Sequence, residues 1–165
     1  MSKLTKSGGF NFAMDTESFQ RVVEFLPKDE RPDIATLLEE RKSRYDNPRV
    51  TKLGGYRIPT PCNVDVIKWQ HDNWNPSKDD VLIASFPKTG TTWLTAIVKN
   101  LIYNDDVEMM KLTKSITFLY SYLERGLPLK FEIMEKLPWK RKIWGTHLPA
   151  PLINMERLKK MDARC

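Results

Sequence analysis

Hydrophobic positions fall in short blocks whose spacing changes along the chain. Val81-Leu82-Ile83-Ala84-Ser85-Phe86 is a largely apolar run. Turn residues bound it, with Asn75-Pro76-Ser77-Lys78-Asp79-Asp80 before and Pro87 after. Such a run predicts a buried strand of a parallel sheet. Beyond Gly90 the period changes. Trp93, Leu94, Ile97, Val98, Leu101 and Ile102 make two adjacent rows spaced by four, which predicts a helix with one wide apolar face. Asn104-Asp105-Asp106 ends it. A helix is predicted over 131–137 with Pro138 as its stop, a second strand over 142–146, and another helix over 153–161. Residues 111–122 fit neither period cleanly.

The first third reads differently. Residues 1–14 are small and polar, as in a tail. A short helix is predicted from Asp15 through Phe19, Val22, Val23 and Leu26, ending at Pro27. A surface helix follows Pro32, with Ile34, Leu37, Leu38 and Arg41 at helical spacing, closed by Asn47-Pro48. Residues 52–75 are rich in turn signals. The division is therefore a tail and helical extension over 1–50 and a domain over 51–165. The predicted class is α/β, a parallel sheet with helices on both faces and a ligand at the strands' carboxyl ends.

Composition adds limits. With 165 residues, 41% hydrophobic and 29% charged, the chain is of the globular type and long enough for one core. Net charge is +6, spread along the chain, which favours an anionic ligand without naming one. Two cysteines, Cys62 and Cys165, make neither a disulfide framework nor a metal pattern. No signal-peptide core or bilayer-length apolar run occurs, so a cytoplasmic location is expected. Basic and aromatic residues do not interleave, so no nucleic-acid partner is expected.

The candidate chemistry lies between the first strand and its helix. Pro87-Lys88-Thr89-Gly90-Thr91-Thr92 is a turn leading into a helix N-terminus, whose first amides lack helical partners. The helix dipole adds favourable potential for an anion. Gly90 permits close backbone approach, Lys88 adds a cation, and Thr91 and Thr92 add hydroxyls. Phosphate binding follows. The triphosphate-binding loop places its lysine after the second glycine, whereas Lys88 precedes Gly90.

Phe86-Pro87-Lys88-Thr89-Gly90-Thr91-Thr92-Trp93-Leu94 resembles the phosphosulfate loop of cytosolic sulfotransferases. Asp79-Asp80-Val81-Leu82-Ile83-Ala84 resembles that family's preceding strand. Gly55-Tyr56-Arg57-Ile58-Pro59 resembles its Tyr-x-Gly-Ile-Pro segment, with the order around glycine changed. Thr146-His147-Leu148-Pro149 resembles its catalytic histidine segment. The resemblance covers roughly residues 50–165. It implies a donor, 3′-phosphoadenosine 5′-phosphosulfate (PAPS), and no metal. Lys88 would offset charge on the leaving phosphate, and the amides of Thr89, Gly90, Thr91 and Thr92 would cradle it. Trp93 would stack on adenine, and His147 would take the acceptor's proton. Tyr56 and Phe118 would line the pocket of a small hydroxyl or amine acceptor. His71 lacks such a context and reads as a surface residue.

Gly145 stands where some members of that family carry a lysine. The family's Arg-Asn-Pro strand and its serine, which hold the 3′-phosphate, and its Arg-Lys-Gly loop, which closes over the nucleotide, have no counterpart in these residues. The reading is thus the N-terminal portion of such a domain, a fragment or truncated isoform with little transferase activity expected alone. The resemblance allows a homodimer in the full-length protein. The alternatives are an inactive isoform that binds nucleotide or a full-length subunit, and a P-loop nucleotide kinase.

Overall fold

The computed structural model describes residues 20, 23–24, 26–33, 35, 39, 50–59, 62–116 and 122–160. Residues 1–14, most of the two predicted N-terminal helices and Phe118 lie outside them.

Two strands, β1 (Thr51–Leu53) and β2 (Tyr56–Ile58), pair antiparallel with Leu53 opposite Tyr56. Only Gly54 and Gly55 join them, at φ 55° and 84°. A two-residue turn of this hand needs positive φ at both positions, which glycine adopts without a Cβ penalty. Helix α1 (Val64–Asn73) follows. The Asn63 side chain caps it by accepting from the Asp65 amide. The helix interrupts the stretch expected to be all turns. Its buried positions are Val66, Ile67 and Gln70, a narrow face that the β-branched composition disguises.

Strand β3 (Val81–Ala84) pairs in parallel with β4 (Ile143–Thr146), with Val81 opposite Ile143 and Ala84 opposite Thr146. Residue 122 bridges to Gly145, and the Leu123 amide donates to the Gly145 carbonyl at 2.9 Å. The chain at 122–123 therefore runs alongside β4. All four residues of β4 are buried. Successive side chains of a strand point to opposite faces, so β4 is covered on both sides. The class is α/β with a parallel sheet, as expected. The further helices are α2 (Thr91–Tyr103), α3 (Val107–Ile116), α4 (Leu129–Lys136) and α5 (Met155–Lys160), with short 3-10 turns at Lys28–Glu30 and Ala150–Leu152.

An aromatic cluster fills the core. Phe131 stacks between Trp69 at 4.7 Å and Trp144 at 5.3 Å, and Trp74 meets Trp144 edge-on. Val23 and Leu26 join the same core, so part of the segment before residue 50 packs on the domain. Asp80 links turn to sheet, accepting from the Ser77 amide at 3.1 Å and from the Trp144 indole at 3.2 Å. Burial raises its pKa, and Lys142 opposes the shift.

Helix α2 departs from its hydrophobic pattern. The buried row is Thr91, Thr95, Lys99 and Tyr103, while Trp93, Leu94, Ile97 and Leu101 are exposed. Val98 and Ile102 alone of the apolar rows pack against the core. The buried polar atoms find local partners. The Thr95 hydroxyl donates to the Thr91 carbonyl at 2.7 Å, and the Tyr103 hydroxyl to the Arg141 carbonyl. Burial lowers the Lys99 ammonium from 10.5 to about 8. Between those pH values the unfolded chain binds a proton that the folded chain has shed, so stability rises with pH there. Urea unfolding at several pH values is expected to show that Lys99→Met removes a rise on the order of 3 kcal/mol.

Candidate functional site

The loop between β3 and α2 has a backbone shaped by two left-handed residues. Lys88 adopts φ 67° and Gly90 φ 100°. Glycine takes this conformation freely, whereas lysine bears roughly 1–2 kcal/mol. Lys88→Gly is therefore expected to raise stability by about 1 kcal/mol, and Lys88→Ala to leave it near the native value. Matched urea midpoints would check the pair.

The first bond of α2 runs from the Leu94 amide to the Gly90 carbonyl at 2.9 Å. The amides of Thr91, Thr92 and Trp93 precede it and have no helical acceptor. Space is open where a Cβ on Gly90 would project. The loop thus leaves an uncovered amide end. The Ser85 and Thr91 hydroxyls bond to each other beneath it. Thr89 turns back on its own loop. Its hydroxyl donates to the Phe86 carbonyl at 2.6 Å and its amide reaches the same oxygen at 3.4 Å.

A cleft of about 760 Å³ opens in front of this loop. Lys88, Gly90, Thr91, Thr92 and Trp93 line one side, and His147 and Leu148 stand at the end of β4. Tyr56, Arg57, Ile58, Pro59 and Cys62 form another wall, and Tyr122, Glu124 and Arg125 a third. The sequence-predicted residues Lys88, Gly90, Thr91, Thr92, Trp93, Tyr56 and His147 therefore meet in one cavity. Thr89 is not among its lining residues, and Phe118 lies outside the described ones. Trp93 is 72% exposed, so its indole face is free. His71 lies on the surface beside Asp72, remote from this lining.

His147 is held from two directions. Its Nδ1 lies 2.9 Å from the Ser85 carbonyl, which can only accept. Nδ1 therefore carries the hydrogen, and in the neutral ring Nε2 keeps a lone pair. The His147 amide donates to Glu124 Oε1 at 3.0 Å, and the Thr146 hydroxyl donates to Glu124 Oε2 at 3.1 Å. Glu124 is fully buried. Lys130, also buried, donates to the carbonyls of Tyr122, Leu123 and Arg125. Burial lowers its pKa, and the charge on Glu124 acts against that shift.

Tyr122 packs its ring 5.0 Å from the His147 ring, with the Arg125 guanidinium 4.4 Å over its face. Its side chain also interacts with Thr91 and Thr92. A Cβ on Gly145 would meet the Tyr122 ring at 3.3 Å. Tyr122, Glu124, Arg125 and Lys130 were not anticipated from the sequence. Their segment has no periodic pattern; Glu124 between Leu123 and Arg125 was the one usable signal.

A strand, a turn with open amides and a helix share one cleft with a histidine, which makes it a candidate anion site of an α/β fold. Residues 78–163 match the sulfotransferase domain, and the chain belongs to that family. Sulfotransferase 1B1 of Canis lupus familiaris is 37% identical over 90 residues, which are 52% of this chain and 30% of that protein. Cytosolic sulfotransferase 1 of Danio rerio is 27% identical over 99 residues, covering 54% and 33%. The crystal structure of mouse sulfotransferase SULT7A1 complexed with PAP superposes with a TM-score of 0.52 at 23% identity, over 69% of this chain and 36% of that one. That likeness concerns the fold. The matches to these curated relatives span about a third of their length. Among the described residues no helix is long and apolar enough to cross a membrane, and no group of three or more His, Cys, Asp or Glu is placed to hold a metal.

Proposed function

We propose that the chain supplies the donor loop and the base of a sulfotransferase. In this reading it uses PAPS, in the cytosol, to sulfonate a hydroxyl or amine of a small acceptor. The observation that carries this is the shared cleft, with the open amide end of α2 on one side and His147 on the other. The donor would bring an activated sulfonate on a phosphate leaving group. Amides of Gly90, Thr91 and Thr92 point their hydrogens where the 5′-phosphate would lie. Lys88 places its charge beside the oxygen that becomes negative as the sulfur–oxygen bond breaks. Trp93 offers an exposed flat face for the adenine. His147 Nε2 accepts the acceptor's proton as the new oxygen–sulfur bond forms, and Ser85 holds the required tautomer. Tyr56 belongs to the acceptor wall.

Titration calorimetry with 3′-phosphoadenosine 5′-phosphate (PAP), with and without magnesium, tests the donor site. Saturable binding independent of magnesium is expected. Binding that requires magnesium would favour a nucleotide kinase, and no binding would remove the donor assignment.

A further inference from the structure

The cleft carries more positive charge than a donor loop needs. Its charged lining residues are Arg57, Lys88, Arg125 and Glu124. Glu124 is the single carboxylate, and its two oxygens are taken by Thr146 and the His147 amide. It is fully buried and cannot turn to meet an arginine in the open cleft. Arg125 lies over the Tyr122 ring, and its Nε finds no acceptor among the described residues. Its side-chain neighbour on the wall is the Cys62 thiol, which burial pushes up to about 11 and so keeps neutral. A thiol is a weak acceptor and offers no counter-charge.

The position of this cation matters. Tyr122 touches both it and His147, with its ring 4.4 Å from the guanidinium and 5.0 Å from the imidazole. The two groups thus share contact with one aromatic ring. Beside Tyr122, the apolar residues Ile58, Pro59 and Leu148 line the same cleft. An acceptor lying along that lining would present a hydroxyl to His147 at one end and its far substituent to Arg125 at the other.

We propose that Arg125 is a specificity residue and that the preferred acceptor is a hydroxylated aromatic carrying a carboxylate at its opposite end. The inference rests on the donor and base assignments above. A guanidinium presents paired N–H donors matched to a planar carboxylate, and it stays charged at every physiological pH. Partial enclosure by Tyr122 and Cys62 strengthens that pairing over a surface contact. A neutral acceptor of the same shape would leave the guanidinium unpaired as the cleft fills.

The test compares 4-hydroxyphenylacetate with 4-hydroxyphenylacetamide, which differ in charge and hardly in shape. Each is titrated calorimetrically into the 165-residue chain, with saturating PAP and again without it. The acid is expected to bind about 10-fold tighter than the amide. Arg125→Met should bring the acid to the amide's level, and Arg125→Lys should fall between. PAP affinity should stay within about 2-fold in both variants. Equal affinities in the native chain would overturn the proposal without needing any variant. So would discrimination that survives Arg125→Met, or a loss of PAP affinity, which would assign Arg125 to the donor. Failure of PAP to bind would count against the donor reading alone, because the acid–amide comparison is also made without it.

Discussion

Glu124→Leu is expected to cost about 3–5 kcal/mol of folding stability, a large share of what a domain of this size possesses. The carboxylate is fully buried and takes hydrogen bonds from Thr146 and from the His147 amide. Its backbone carbonyl accepts from the Asn63 amide at 2.8 Å, which ties α1 to the same segment. Leucine would keep that last bond and lose the other two. The larger loss is electrostatic. Lys130 is held by three carbonyls from 122–125, and Glu124 is the main influence keeping it charged against burial. Without Glu124 the ammonium has no counter-charge beside it among the described residues, and its pKa falls further. A double-mutant cycle with Lys130→Met measures the link. The double variant should cost less than the two singles together, by at least about 1 kcal/mol in urea unfolding. Strict additivity would sink the claim that the two charges support each other.

The second large effect concerns the donor. Lys88→Ala is expected to weaken PAP binding by about 10- to 100-fold, the range for losing one charge-assisted contact. His147→Ala should leave that affinity within about 2-fold, since its ring bonds the Ser85 carbonyl and not the amides at the start of α2. Salt should matter as well. The exposed Lys88 charge is screened, so the gap between native and variant narrows as ionic strength rises. Equal affinity of native and Lys88→Ala chains at low salt would show that the lysine does not touch the nucleotide.

The strand–loop–helix core was legible because its signals are local. The apolar run at 81–86, the turn at 75–80 and the change of period after Gly90 are each written within a few residues. β3 and α2 lie where those signals put them. What local pattern could not convey is which face of a helix is buried. In α2 the buried row is Thr91, Thr95, Lys99 and Tyr103, a face that hydrophobicity alone would have turned outward. The apolar rows then point outward in large part. Helix α1 was hidden for a related reason. Its three buried residues sit among prolines and β-branched residues that read as turns and strands.

The site divides the same way. Lys88, Gly90 and His147 belong to contiguous motifs. Glu124 and Tyr122 act through contacts with β4, His147 and α2, across gaps in sequence of 20 residues and more that no spacing rule links, and Lys130 acts through the carbonyls of 122–125 beside them. Tyr56 reached the cleft through a turn whose two glycines were visible in advance.

Gly145 and Tyr122 occupy what is in effect one volume. Their amino acids are therefore not free to vary independently. A side chain at 145 asks the Tyr122 ring beside His147 to give by a few tenths of an ångström, so the cost of any exchange there is set by how far that ring can yield. Anyone seeking to install a lysine next to the histidine should vary Tyr122 along with Gly145. The same coupling means that a tally of single substitutions at Gly145 would measure the freedom of Tyr122 as much as that of the glycine.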